Sequence, residues 1–192
     1  MHQLAKEAWG PAGDAARHLP LEALERALSA LPPAPADAGR LALIVRRLPD
    51  GSRELPEAVR LTPEEGVPGD GWNRRPPRKP DAQLAVMRSD VAGVIANGQS
   101  LELFGDNLFV DLDLSAANLP TGTRLRVGDA LVEVTSYPHD GCAKFSARFG
   151  PAALRCVQAP ATRSQNRRGI YMKVIEAGDA HVGAPVRVVS RG

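Results

Sequence analysis

Apolar positions in this chain recur with two periods, one near its start and another through the rest. Leu21, Leu24, Leu28 and Leu31 fall at helical spacing, with Glu22, Glu25 and Arg26 on the other side and Pro20 placed for an opening turn. Pro32, Pro33 and Pro35 stop that helix, because proline lacks the amide hydrogen and disfavours the helical region for the residue before it. From Gly39 onward the pattern shortens to strands. Residues 41–47 predict a buried strand, Pro49-Asp50-Gly51-Ser52 a turn, and residues 57–61 the returning arm of a hairpin. Residues 82–87 are the next strand, followed by a short helix over 90–98 with Ser89 or Asp90 as cap and Gly98 as stop. Residues 103–112 turn into another strand. Residues 123–135 predict two arms about Gly128-Asp129, with apolar and polar positions alternating on the second. The pattern ends with a short helix interrupted at Gly150-Pro151, a polar loop over 161–169, a strand over 170–175, a turn region over 176–183 and a strand over 186–189.

Seven or more short strands separated by Gly, Pro and Asp, with only brief helices, predict a mainly β fold closed or nearly closed into a barrel. Residues 1–39 form an N-terminal helical extension with a Pro-rich linker, read as a packing flap or dimer contact. Residues 40–192 form the barrel domain.

Composition narrows what such a barrel can do. Aromatics make up only 4% of the 192 residues, which argues against a base-stacking platform for nucleic acid. The 24 basic and 22 acidic residues leave a net charge of +2, too little to draw the protein onto DNA or an anionic membrane. Any anion site must therefore be local. The run Arg74-Arg75-Pro76-Pro77-Arg78-Lys79 and the pair Arg167-Arg168 are either solvated charge or an anion clamp, since guanidinium groups grip phosphate bidentately. The first residues lack the features of a secretory signal and no 18 apolar residues run together, which predicts a soluble, cytoplasmic protein. In that reducing compartment Cys142 and Cys156 are both expected to be free thiols.

The candidate chemistry gathers at one turn. Cys142 follows an alternating strand and the segment Tyr137-Pro138-His139-Asp140-Gly141, which mounts its side chain at the rim of a sheet. It is either a reactive thiol or a small buried side chain, whereas Cys156, between apolar neighbours, reads as structural. His139 could assist a thiolate or a metal; Lys144 and Arg148 would favour the thiolate and Asp140 oppose it. Asp70, Asn73 and Asn107 fit turns. A phosphate-binding glycine loop, a His-x-x-x-His pair, a Cys-x-x-Cys pair and a nucleophile elbow are all missing from the sequence. No flavin or iron–sulfur motif is present, so a redox function requires a partner reductase.

The order of motifs over about residues 40–190 resembles the MOSC family, the domain named after the C-terminal part of molybdenum cofactor sulfurases. The segment from Leu61 to Asp70 resembles the family's Gly-Asp loop, and Gly105-Asp106-Asn107-Leu108 its Gly-Glu-Asn-Leu turn. The two arms about Gly128-Asp129 resemble the strand pair leading to the family cysteine, and Arg168-Gly169-Ile170-Tyr171 its closing Arg-Gly strand. The resemblance implies a MOSC-type β-barrel whose cysteine either carries a persulfide or binds the molybdenum of a pterin cofactor. Relatives such as the mitochondrial amidoxime-reducing component reduce N-hydroxylated compounds. For this chain it implies Cys142 as metal ligand and catalytic sulfur, with His139 and Lys144 beside it. Arg74, Arg75, Arg78, Asn107, Arg167 and Arg168 are then cofactor contacts. The partner is a reductase for an enzyme acting on small molecules, or a cysteine desulfurase for a sulfur carrier. A binding module that has kept the barrel and lost the cofactor is the third expectation. Two departures fall near the cofactor: His139-Asp140-Gly141 separates Pro138 from Cys142, and the basic run after Asn73 replaces a His-Gly-rich stretch.

Overall fold

The computed structural model describes residues 10–74 and 77–192. Its elements run α1 (Leu21–Ser29), β1 (Ala38–Ile44), β2 (Arg46–Arg47), β3 (Arg53–Glu54), β4 (Ala58–Leu61), β5 (Leu84–Arg88), α2 (Ser89–Ala96) and β6 (Leu108–Val110). They continue with β7 (Arg124–Val127), β8 (Ala130–Val134), α3 (Ala143–Phe149), α4 (Pro151–Gln158), β9 (Ile170–Glu176), β10 (Gly178–His181) and β11 (Pro185–Ser190). Seven of these strands close a barrel in the order β1-β11-β7-β8-β9-β5-β6, with β6 returning to β1. The fold is therefore mainly β with a few short helices. The β5–β6 pair is parallel, which demands a crossover, and α2 with a 3-10 turn at Leu101–Phe104 supplies it.

The chain has two apolar cores. Leu84 and Val86 of β5 face the first together with Leu41, Leu108, Leu125 and Val132, whereas Met87, on the opposite face, joins a second core of helices. Burial on both faces explains why β5 reads as a continuous apolar run rather than an alternating one. Leu24 and Leu28 of α1 enter the second core beside Ile95 of α2 and Cys156 of α4, so the extension's leucine stripe packs against the barrel's helical layer.

Three local expectations change. Residues 57–61 do not return along β1: β4 pairs antiparallel with β10, Ala58 opposite His181 and Leu61 opposite Gly178. The hairpin partner of Arg46–Arg47 is Arg53–Glu54, directly across the Pro49-Asp50-Gly51-Ser52 turn. Val59 instead lies opposite buried Ala180 and Leu61 opposite Gly178, so the expected turn region over 176–183 contains a strand at Gly178–His181. The polar loop over 161–169 contains a 3-10 helix at Pro160–Gln165. Among the described residues no helix is long and apolar enough to cross a membrane. Both cysteines are free, Cys142 exposed and Cys156 buried.

Candidate functional site

A cavity of about 510 Å3 lies where the β2–β3 hairpin, the turn at Gly105-Asp106, the loop from β8 to α3 and the start of β9 converge. Cys142, at the N-terminal edge of α3, is on its lining and open to solvent. The wall behind is a buried ionic group. Arg168 Nη1 donates to Asp106 Oδ2 at 2.7 Å, and His139 Nε2 lies 3.4 Å from Asp106 Oδ1. The Arg168 guanidinium also lies 5.0 Å from the centre of the Phe145 ring, a cation–π position. Burial pushes the Asp106 carboxyl up, against the pull of Arg168 and Arg47. Burial, with the same two cations, drives the His139 imidazole well below its ordinary range, so it is neutral at physiological pH. The Tyr171 ring packs against His139 with centroids 4.3 Å apart, and burial raises its phenol. Asp106 Oδ1, His139 Nδ1 and Arg168 Nε are buried without a hydrogen-bond partner among the described residues. Polar atoms left this way are costly, and in native sites they mark a functional constraint or an absent partner.

Two glycines let the backbone make this wall. Gly169 has φ +94°, and a Cβ there would sit 2.2 Å from the Val86 carbonyl oxygen, so only glycine lets Arg168 hand over to β9 beside β5. Gly105, at φ +74°, faces three arginines: a Cβ would lie 3.5 Å from Arg53 Nη2, 3.8 Å from Arg47 Cδ and 3.9 Å from Arg148 Nη1.

Those arginines form the cationic part of the cavity. Arg47 binds Asp70 through its backbone N–H at 2.8 Å, Nε at 2.9 Å and Nη2. Burial pushes the Asp70 carboxyl up, but the Arg47 bonds and charge, with the Trp72 amide, outweigh it and hold the group at about 2. Arg53 has no carboxylate within 4.0 Å among the described residues, and burial, reinforced by Arg148 and Arg47, lowers its guanidinium to about 10. Arg148 donates to the carbonyls of Pro11 at 3.0 Å and Leu103 at 2.7 Å; burial lowers its guanidinium and the nearby Cys142 sulfur opposes that. Three guanidinium groups that converge on one cavity suit an oxoanion.

The Asp70 pair has a measurable consequence for stability. Its folded value lies below the ordinary 3.8, so its contribution is fully present above about pH 4 and disappears as pH falls through 2. It amounts to about 2 kcal/mol at neutral pH. In urea titrations the unfolding midpoint should drop between pH 4 and pH 2, and Asp70→Asn should flatten that slope. An identical slope in the variant would contradict the assignment.

Of the residues expected from sequence, Cys142, His139, Lys144 and Arg168 share the cavity lining. Arg74 does not reach it: Nη2 donates to the Arg47 carbonyl at 2.8 Å and Nη1 to that of Gly69. Arg78 donates to the Glu64 carbonyl and Asn73 Oδ1. Arg75 lies outside the described residues. Asn107 is buried, its Oδ1 accepting from the Ala85 N–H at 3.1 Å, and it ties β5 to the turn before β6. Arg167 donates to Cys156 Sγ at 3.5 Å and lines a neighbouring cavity of about 300 Å3 that shares residues 137–140. Sequence reasoning did not assign the anion-binding role to Arg47, Arg53 and Arg148. The available signal was a cation on each arm flanking the Pro49-Asp50-Gly51-Ser52 turn.

The sequence matches the MOSC domain over residues 70–187, more than half of the chain. The chain belongs to the MOSC family. Among solved structures, YiiM from Escherichia coli is 27% identical, with a TM-score of 0.53 over 80% of this chain and 71% of that one. YuaD from Bacillus subtilis is 16% identical, with a TM-score of 0.59 over 79% of this chain and 95% of that one. A hypothetical protein is 22% identical with a TM-score of 0.59, covering 81% and 70% of the two chains. At 16% and 22% identity the likeness shows the fold, and that fold is the MOSC barrel. A search of curated proteins found no match.

The cavity suits the phosphate-bearing molybdenum cofactor associated with MOSC domains. Among the described residues no group of three or more His, Cys, Asp and Glu side chains could hold a metal ion. A metal at this cavity would therefore have to bring most of its ligands with it, and Cys142 is the exposed soft donor on the lining that could add one. The guanidinium groups around Gly105 match a phosphate, and the unpartnered atoms of Asp106, His139 and Arg168 lie in the wall behind.

Proposed function

We propose that this MOSC protein holds a molybdenum–pterin cofactor in the Cys142 cavity and reduces N-oxygenated small molecules with electrons from a separate reductase. The observation that carries this reading is the presence of one exposed thiol and three convergent arginines in a single cavity. Cys142 Sγ ligates the metal, and Arg47, Arg53 and Arg148 hold the phosphate. Arg168, held by Asp106, and neutral His139, packed against Tyr171, form the wall behind. The bound group supplies a two-electron redox centre. Cleaving an N–OH bond to N–H and water consumes two electrons, which the reductase provides, and two protons. Lys144 Nζ and Tyr171 Oη are proton-bearing atoms of the cavity lining.

The test is metal and pterin analysis after expression in a host that makes the cofactor. Wild type should carry molybdenum close to one atom per chain, and Cys142→Ala should lose it while remaining folded, since Cys142 is exposed. Molybdenum absent from the wild type, or equal in both proteins, would sink the reading.

A second reading rests on the exposure of Cys142 beside Arg148: its sulfur attacks the outer sulfur of a cysteine desulfurase's persulfide, forming a new S–S bond as the donor's S–S bond breaks and the desulfurase cysteine leaves as a thiol. Thiol trapping after incubation with such an enzyme should then find added sulfur on Cys142 and none on buried Cys156. No adduct would dismiss it.

A further inference from the structure

The main cavity continues into an annex of about 280 Å3. Arg47, Ala85, Tyr137 and Tyr171 line both spaces, and the annex adds Trp72, Arg78 and Lys79. Its walls are unusually aromatic for a chain with so few aromatic residues. Tyr137 and Tyr171 meet edge to face, with centroids 5.6 Å apart. Trp72 is held at both ends, its indole Nε1 donating to the Lys79 carbonyl at 3.0 Å and its main-chain N–H to Asp70 Oδ2 at 2.8 Å. Arg78 lies over that indole, 5.4 Å from the ring centre, and Lys79 Nζ lies 5.0 Å from the centre of the Tyr137 ring.

The charge here is one-sided. Among the described residues the annex lining contains no Asp or Glu. Arg78 donates to neutral oxygens of Glu64 and Asn73, and Lys79 Nζ to the Tyr137 hydroxyl at 2.5 Å. Flat aromatic side chains favour a planar ring, and Arg78 and Lys79, bonded among the described residues to neutral oxygens, favour an anionic substituent on it. A volume just under the roughly 300–1,000 Å3 of drug-sized pockets suits one substituted ring.

We propose that the annex is a binding subsite for a planar aromatic carboxylate. Trp72, Tyr137 and Tyr171 take the ring and Arg78 and Lys79 take the carboxylate, placing the remaining substituent toward Cys142. What is done to that substituent rests on the function proposed above, which makes the substrate an aromatic acid carrying an N–O group. Binding of the ring itself does not depend on the cofactor.

Benzoate is the probe, titrated by calorimetry into the full chain, with cyclohexanecarboxylate and benzamide as controls for shape and charge. Benzoate should bind saturably, with both controls weaker by about tenfold or more. Trp72→Ala, Arg78→Gln and Lys79→Gln should each weaken benzoate by about tenfold, whereas Cys142→Ala should bind it as well as wild type. Absence of saturable binding, equal binding of either control, or unchanged affinity in all three annex variants would overturn the proposal. Molybdenum content of the same Cys142→Ala preparation reads the cofactor assignment separately, so the two can fail independently.

Discussion

Asp106→Asn is expected to lower the stability of the fold by about 3–5 kcal/mol, read as a fall in the urea unfolding midpoint. The carboxylate is fully buried and holds Arg168, itself nearly buried against Met87, Phe104 and Phe145. Removing its charge leaves a guanidinium in apolar surroundings with a neutral amide as its neighbour. Adding Arg168→Met should recover most of the loss, because apolar replacement of both partners removes the desolvation cost along with the attraction. Arg168→Met alone behaves differently. The Asp106 carboxyl, already raised by burial, would rise further without its cation and take up a proton on folding. A folded value above the unfolded one favours the native state in acid. Relative to the parent, this single variant should therefore be most stable in acid and lose stability as pH rises above about 4. A double variant no more stable than Asp106→Asn would show that the pair is not coupled.

Gly169→Ala is expected to cost about 3 kcal/mol, combining left-handed strain with a steric clash, and to lower the thermal midpoint by about 6–12 °C. The new methyl would lie 2.2 Å from the Val86 carbonyl oxygen, and Val86 is paired with Ile170 in the adjacent register position. Either β5 and β9 part at this point or residue 169 shifts and carries Arg168 away from Asp106. Gly183→Ala is the control: its φ is +86°, yet nothing lies within 4 Å of the added carbon. It should lose only about 1–2 kcal/mol of backbone strain. Equal shifts in calorimetry would mean that the contact with Val86 contributes nothing.

The parts of this fold legible in the sequence are those decided over a few residues. The arms about Gly128-Asp129 emerge as β7 and β8, paired from Val127–Ala130 outward, because alternation and a glycine turn specify them locally. The partner of β4 was not legible, since Arg60 lies opposite Asp179, 119 residues away, and alternation reveals a buried face without naming what covers it. The site divides in the same way. Cys142, His139 and Lys144 are close neighbours in sequence and reach one cavity together. Arg47, Arg53 and Arg148 are brought together by a hairpin, a helix and the turn at Gly105. The dense charge run over residues 74–79 is the conspicuous one in the sequence, yet density mostly signals solvation, and two of those cations bond to backbone carbonyls. The cations beside Cys142 come from positions 47, 53 and 148, too far apart in the chain to form a charge run, and only the turn between Arg47 and Arg53 hints that those two meet.

The closure of the barrel sets a timetable for biosynthesis. β1 is hydrogen-bonded to β6 on one side and to β11 on the other, so the first barrel strand translated has the last as a neighbour. At roughly 5–20 residues per second, about 8–30 s separate their synthesis. During that interval one edge of β1 has no partner, and nascent chains are then open to wrong pairings. Arg168 and Tyr171 also emerge late, on or beside β9. The pocket beside Cys142 therefore comes into being only after residues 168–171 have been synthesised, and whatever occupies it must be delivered to a barrel most of whose strands are already made.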